Sequence, residues 1–180
     1  FGDHFNDAFK GSMSHSNYEP DDAAVYWMIT PNFRAGKEMD HSHTEFDEFR
    51  YQHRGYAKYA DIARLFGWEA WTDYYYKRNI DWNNGVSQDD WRDGLLGFQG
   101  TFGDGVDART LELSIQANCD LTSLIHFWGI KPVNPGDLAN RMTNNNLTTC
   151  KQVHCLLKRY RDLIPTSNAE FNTFFEKIHP

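Results

Sequence analysis

Two histidines and a run of acidic side chains lie close together in the stretch "DHSHTEFDE", residues 40–48. His41, His43 and Glu48 offer the nitrogen and carboxylate donors that zinc prefers in proteins. Two histidines separated by one residue suit a metal site on an extended segment or loop, because side chains two positions apart point the same way there. Since His-x-His also occurs by chance, the competing interpretation is a solvated, acidic helix start with two exposed histidines.

The other chemistry-bearing residues do not form a recognisable catalytic centre. The sequence holds neither the His-Glu-x-x-His pattern of zinc peptidases nor the Gly-x-Ser-x-Gly pattern of serine hydrolases. His154 lies next to Cys155, but neighbouring side chains on a helix point about 100° apart. His126, within "NCDLTSLIHFWGIKP", lies off the apolar stripe of its predicted helix, so a surface or capping role is favoured over catalysis. We therefore assign no catalytic residue.

Aromatic side chains are concentrated in "FGWEAWTDYYYKRN", residues 66–79, beyond what one helix face can bury. The three consecutive tyrosines that end at Tyr76 span all sides of a helix, so at least one of them should meet solvent or a partner. Trp68, Trp71 and Tyr75 are the candidate substrate-binding residues, in a groove for sugar or peptide. Packing of these rings against another domain remains the alternative.

Composition and charge narrow the class of protein. The 180-residue chain has a formal net charge of −7, and 16% of its residues are aromatic. Nucleic-acid binding is disfavoured, because a phosphate-contacting surface needs a basic stripe that the sequence lacks. The aromatic content argues against intrinsic disorder, and no run approaches the roughly 18 apolar residues of a membrane span. These features predict one globular domain with no membrane-spanning segment.

The elements that must position these side chains are predicted to be helical. Residues 1–45 predict a loop-rich N-terminal arm, in which only "AVYWMIT", Ala24–Thr30, has the aromatic and β-branched character of a strand. Residues 46–180 predict a helical subdomain, because apolar residues recur there at three- and four-residue steps. The predicted fold class is therefore all-α, an irregular multi-helix bundle of about seven helices with that loop-rich arm.

Local signals predict several helix ends. Asp120 is expected to cap the helix that carries Trp128, and Gly129 lies where the residue after a helix end is commonly a glycine. Asn134 is the expected cap of the next helix, with Pro135 in its first turn.

The three cysteines leave at least one thiol unpaired within the chain. A disulfide between Cys150 and Cys155 would distort the helix on which both are predicted, because they lie on different faces. A disulfide between Cys119 and either of them is geometrically possible, so the pairing stays open.

Two segments together resemble one known family. "YQHRGYAKYADIARLFGWEAWTDYYYKRN" is a helix that ends in Leu-Phe-Gly-Trp-Glu-Ala-Trp, and "RTLELSIQANCDLTSLIHFWGIKP" leads into a Trp-Gly pair. They are similar to the C-terminal helical half of the enhancin-like, mucin-degrading zinc metallopeptidases, peptidase family M-sixty. In that family an Asn-Leu-x-Pro-Phe-Phe-x-x-Trp-Gly type of segment follows. Here Asp120 and Leu121 stand for Asn-Leu, Phe127 is shifted towards the Trp, and Trp128 and Gly129 keep their places.

The resemblance covers roughly Tyr51–Pro132 and carries expectations about function. The family cleaves proteins, often O-glycosylated mucins, with zinc held by the two histidines of His-Glu-x-x-His and a downstream Glu, and the motif Glu acts as general base on zinc-bound water. That motif is absent here, so the chain is expected to be the C-terminal helical part of a larger secreted or cell-surface peptidase and inactive alone. Its partners would be the rest of that polypeptide and a glycoprotein or peptide substrate. The alternative is a non-catalytic α-helical module that binds glycans or protein.

Overall fold

The structure of the protein is a computed structural model. It describes residues 20–36, 51–70, 72–74, 76, 80 and 105–178. Every regular element within these residues is a helix, which confirms the predicted all-α fold class. None of the helices in these ranges has the length and apolar character needed to cross a membrane. The helices with defined bounds are α1 Pro20–Ile29, α2 Pro31–Arg34, α3 Tyr51–Phe66, α4 Gly105–Ala117, α5 Thr122–Phe127, α6 Pro135–Asn144, α7 Lys151–Asp162 and α8 Asn168–Ile178.

The strand predicted at Ala24–Thr30 is wrong, because this segment forms most of helix α1. Pro20 begins the helix and Asp21 and Asp22 occupy its first turn, where the helix dipole favours acidic side chains. The residues from Asp22 to Met28 are all buried. A helix that is buried on every side shows no apolar stripe, so its sequence resembles that of a buried strand.

Helix α1 lies at the centre of the bundle and packs against α2, α3 and α7. Helix α5 packs against α4 and α7, and α6 packs against α4. The largest fully buried side chains of the main core are aromatic: Trp27, Trp128, Tyr74 and Tyr160. A smaller apolar cluster lies under α6 and consists of Leu138, Met142 and Leu147. The bundle therefore places the end of α5 between α1, α3 and α7.

The end of α5 is fixed by its backbone. The N–H of Gly129 donates to the carbonyl of His126 (2.9 Å), and the N–H of Ile130 donates to that of Ile125 (3.3 Å). This pair of bonds is a Schellman motif, and Gly129 takes the left-handed conformation that the motif requires, with φ 91°. The predicted glycine stop is confirmed. The cap predicted at Asp120 is one residue too early, because Leu121 precedes the helix and makes no capping hydrogen bond through its side chain. Asp120 instead accepts from the N–H of Thr122 (2.8 Å), the first residue of α5.

The start of α6 differs in part from its prediction. Pro135 opens the helix as expected, but the side chain of Asn134 makes no capping hydrogen bond. Instead the carboxylate of Asp107, in the first turn of α4, accepts from the N–H groups of Val133 (2.9 Å) and Asn134 (2.7 Å). One acidic side chain thereby ties the start of α6 to α4.

One disulfide joins two of the cysteines and answers the question that the sequence left open. Cys119, just after α4, is bonded to Cys150, just before α7, with 5.8 Å between their Cα atoms. Cys155 is an exposed free thiol on α7. Beside the disulfide, the N–H of Asp120 donates to the carbonyl of Thr148 (2.9 Å). The covalent link holds the entrance of α5 against the start of α7.

Candidate functional site

A buried hydrogen-bonded cluster joins α3, the end of α5 and α7. Asp61 of α3 is fully buried and accepts a hydrogen bond from Nε1 of Trp128 (2.9 Å) at one carboxylate oxygen. Its other oxygen accepts from the hydroxyl of Tyr160. We call these three residues the Asp61 cluster.

Burial controls the electrostatics of the Asp61 cluster. It raises the pKa of Asp61 to about 6, against the hydrogen bonds from Tyr160 and Trp128, which lower it. Burial and the neighbouring Asp61 carboxylate also raise the pKa of Tyr160 above its usual range. Arg64, one turn further along α3, lies with its guanidinium carbon 5.7 Å from the centre of the Tyr160 ring. The Asp61 carboxyl is thus balanced between its charged and neutral forms at mildly acidic pH.

Asp21 forms two ion pairs at the edge of the Asp61 cluster. Its carboxylate accepts from Nη1 of Arg64 at 2.9 Å and from the guanidinium of Arg159. These contacts join α1, α3 and α7. All three residues keep solvent access, so the pairs contribute little stability individually.

Lys58 is a second buried ionisable group on α3. It is 1% exposed, and its Nζ lies 4.8 Å from the centre of the Tyr59 ring. Burial lowers the pKa of Lys58 well below its usual value, and the positive charge of Arg109 lowers it further. Neither Lys58 nor the Asp61 cluster is open to solvent, so both organise the core and cannot contact a substrate directly.

An accessible pocket lies on the other side of the α5 end. It has a volume of about 410 Å³. We call it the α5 pocket, and its side chains include three aromatic rings and three polar groups: Trp27, Phe33, Phe127, Ser123, His126 and Lys131. The ring of Phe33 lies edge-on to Trp27 at 5.5 Å and to Phe127 at 5.9 Å, measured between centroids. This volume falls in the range of about 300–1,000 Å³ that is typical of small-molecule sites.

Hydrogen bonds hold the walls of the α5 pocket in place. Nε1 of Trp27 donates to the carbonyl of Phe127 (2.7 Å), which connects α1 to the end of α5. Nζ of Lys131 donates to the carbonyl of Gly36 (3.2 Å), which connects the chain after α5 to the chain after α2. The α5 pocket is therefore built from segments about a hundred residues apart, both fixed by polar contacts.

Only one of the three predicted substrate-binding aromatic residues lies among the residues that the structure describes. Trp68 is half-buried just after α3, and Trp71 and Tyr75 lie outside the residues that the structure describes. Of the neighbouring tyrosines, Tyr74 is 1% exposed and Tyr76 is 70% exposed. The expectation that at least one tyrosine of this run faces solvent is confirmed by Tyr76.

The predicted metal ligands His41, His43 and Glu48 also lie outside the described residues. Among the residues that are described, no three His, Cys, Asp or Glu side chains come together in a way that could hold a metal ion. That part of the chain therefore does not supply a zinc site. His126 is exposed as predicted, but it also lines the α5 pocket, a role that its sequence position did not indicate.

Comparison of the chain with protein-family models, with curated proteins and with solved structures finds no match.

Proposed function

We propose that the chain is the helical, non-catalytic part of a secreted or cell-surface zinc metallopeptidase that acts on glycoproteins such as mucins, where it shapes the substrate cleft. The observation that supports this is the contact between the two segments that carry the family resemblance. Asp61 belongs to the first segment and Trp128 to the second, 67 residues later, and they meet in a buried hydrogen bond. This contact supports the resemblance, because two segments that together define one subdomain are expected to pack against each other.

The proposed role leaves the catalytic chemistry to the rest of the parent polypeptide. The described part of this chain offers no zinc ligand set, so zinc and the general base would come from a His-Glu-x-x-His helix elsewhere. This chain would contribute aromatic surface. Trp68, which is half-buried just after α3, is the described member of the predicted set Trp68, Trp71 and Tyr75.

The reading frame that encodes this chain tests the proposal first. A His-Glu-x-x-His motif encoded upstream of this chain supports the peptidase role, and a frame without one rules it out. The second test is kinetic, on the complete gene product. Replacing Trp68 by Ala is expected to raise KM for a mucin glycopeptide several-fold with little change in kcat, because a cleft residue binds ground state and transition state alike. An equal fall in kcat and kcat/KM would assign Trp68 to the chemical step instead.

A non-catalytic module that binds glycans or protein is the second candidate. The exposed side chain of Tyr76 favours it, because aromatic side chains at a surface are a common means of binding a partner. Binding of mucin glycopeptides by the 180-residue chain alone, in a reading frame that encodes no His-Glu-x-x-His motif, is the result that this candidate predicts.

A further inference from the structure

The loop between α6 and α7 contains the one Asn-x-Ser/Thr triplet of the 180-residue sequence, Asn146-Leu147-Thr148. Such a triplet is the acceptor motif for N-linked glycosylation when its middle residue is not proline. Because the triplet also occurs by chance, the motif alone does not identify a modification site. Three features of the loop add to it: the way in which the backbone presents the triplet, the free side chains of the acceptor and the threonine, and the adjacent disulfide.

The end of α6 fixes how the triplet is presented. The N–H of Asn146 donates to the carbonyl of Thr143 (2.9 Å), and that of Leu147 donates to the carbonyl of Met142 (2.9 Å). These are the two bonds of a Schellman motif, and Asn146 takes its left-handed position with φ 56°. The side chain of Leu147 is buried with Met142 in the small apolar cluster under α6. The buried leucine therefore anchors the loop, and the motif residues on either side of it, Asn146 and Thr148, are exposed.

The side-chain amide of Asn146 is available for reaction. It makes no hydrogen bond to any described residue, whereas the amide of the neighbouring Asn145 donates to the carbonyl of Arg141 (2.9 Å). A helix-ending role alone would explain an asparagine at this position, because asparagine tolerates the left-handed conformation. It does not explain the exposed Thr148, whose hydroxyl also makes no hydrogen bond within the described part of the chain. An acceptor site accounts for both residues.

The disulfide next to the triplet indicates the compartment in which the chain matures. Cys150, four positions after Asn146, is bonded to Cys119. Disulfides form and persist in oxidising compartments, which include the lumen of the endoplasmic reticulum. N-linked glycans are attached in the same lumen. A chain that acquires this disulfide on the eukaryotic secretory route therefore meets the enzyme that attaches the glycan.

We propose that Asn146 is an N-glycosylation site, with Thr148 as the hydroxyl-bearing residue that the glycosylating enzyme recognises. The co-substrate is a lipid-linked oligosaccharide diphosphate. Nδ2 of Asn146 attacks the anomeric carbon of its first sugar, the bond from that carbon to the diphosphate oxygen breaks, and the lipid diphosphate leaves with the bonding electrons. The amide nitrogen gives up one proton to a base of the enzyme. The proposal does not depend on the metallopeptidase role, because it uses no zinc and no residue of the predicted cleft.

Secretion of the 180-residue chain from cultured mammalian cells, behind a signal peptide, tests the proposal. Tryptic cleavage after Arg141 and Lys151 gives one reduced peptide, 142–151, that contains the whole triplet. Mass spectrometry is expected to show that most of this peptide carries a glycan, and that peptide-N-glycosidase F removes it and leaves an aspartate at position 146. Because Asn146 is exposed, the glycosylated chain should keep the disulfide between Cys119 and Cys150.

Three variants locate the glycan, each checked for native helicity by circular dichroism. Thr148→Ala removes the hydroxyl that the motif requires and is expected to abolish the modification, whereas Thr148→Ser keeps a hydroxyl and should retain it. Asn144→Gln, at an exposed position two residues before the acceptor, is the matched control and should leave the glycan in place. The proposal is overturned if the wild-type chain is secreted without a glycan on peptide 142–151, if Thr148→Ala keeps it, or if the glycosylated chain unfolds at a lower urea concentration than Thr148→Ala.

Discussion

Replacing Trp128 by Phe removes one defined interaction from the bundle, the hydrogen bond from Nε1 to the buried carboxylate of Asp61. We expect the smaller ring to cost about 1 kcal/mol of unfolding free energy and the lost bond to a charged acceptor about 2 kcal/mol at neutral pH. Trp27→Phe is the matched control, because its indole donates to the uncharged carbonyl of Phe127 (2.7 Å). Its lost bond should cost only about 1 kcal/mol, so its total should be about 2 kcal/mol.

The cost of Trp128→Phe in unfolding free energy should depend on pH. Since burial raises the pKa of Asp61 to about 6, the carboxyl is largely protonated at pH values well below that. The bond that Trp128 donates then has a neutral acceptor, and the cost of Trp128→Phe should fall by about 1 kcal/mol at low pH. The cost of Trp27→Phe should not change, because its acceptor does not titrate.

Urea unfolding followed by far-ultraviolet circular dichroism measures both variants at about pH 4.5 and about pH 7.5. The expected pattern is a larger cost for Trp128→Phe than for Trp27→Phe at the higher pH and nearly equal costs at the lower pH. Equal costs at both values would refute the assignment of Asp61 as a charged acceptor for Trp128.

Three further predictions follow from the same contacts. Because burial raises the pKa of Asp61 to about 6, its contribution to stability is full below its ordinary pKa and is lost as the pH rises through 6. Urea unfolding from about pH 4 to about pH 7 should show the wild type losing about 2.4 kcal/mol that Asp61→Asn does not lose. Replacing Cys119 and Cys150 together by Ala opens a link across 31 positions and should cost about 3.7 kcal/mol in urea unfolding; an unchanged midpoint would show that the disulfide does not form. Gly129→Ala should cost about 1–2 kcal/mol because φ is 91°, whereas Gly136→Ala, whose added methyl meets no atom within 4 Å, should be neutral or slightly stabilising in thermal melts.

Features that depend on nearby residues could be predicted from the sequence. The helix stop at Gly129 and the start at Pro135 follow from local backbone preferences, and both are confirmed. The helix Pro20–Ile29 could not be predicted, because its buried run from Asp22 to Met28 lacks the apolar stripe that distinguishes a helix from a strand.

Features that depend on contacts between distant residues could not be predicted from the sequence. The bond that joins Trp27 to Phe127 spans 100 residues, and no spacing rule connects two such positions. Asp61 is a carboxylate inside a helical pattern, and such residues are usually exposed. Its burial becomes understandable only once Trp128 and Tyr160 are seen to supply its hydrogen bonds. The α5 pocket could not be predicted for the same reason, since its aromatic rings come from separate helices.

Zinc-dependent cleavage of an O-glycosylated mucin is the measurement that tests the proposed function most directly. The complete product of the reading frame and the 180-residue chain would be assayed side by side, each with and without a zinc chelator. We predict that the complete product cleaves mucin, that chelator abolishes the cleavage, and that the chain alone cleaves nothing. Cleavage by the chain alone, or a complete product that is inactive and holds no zinc, would contradict the proposal.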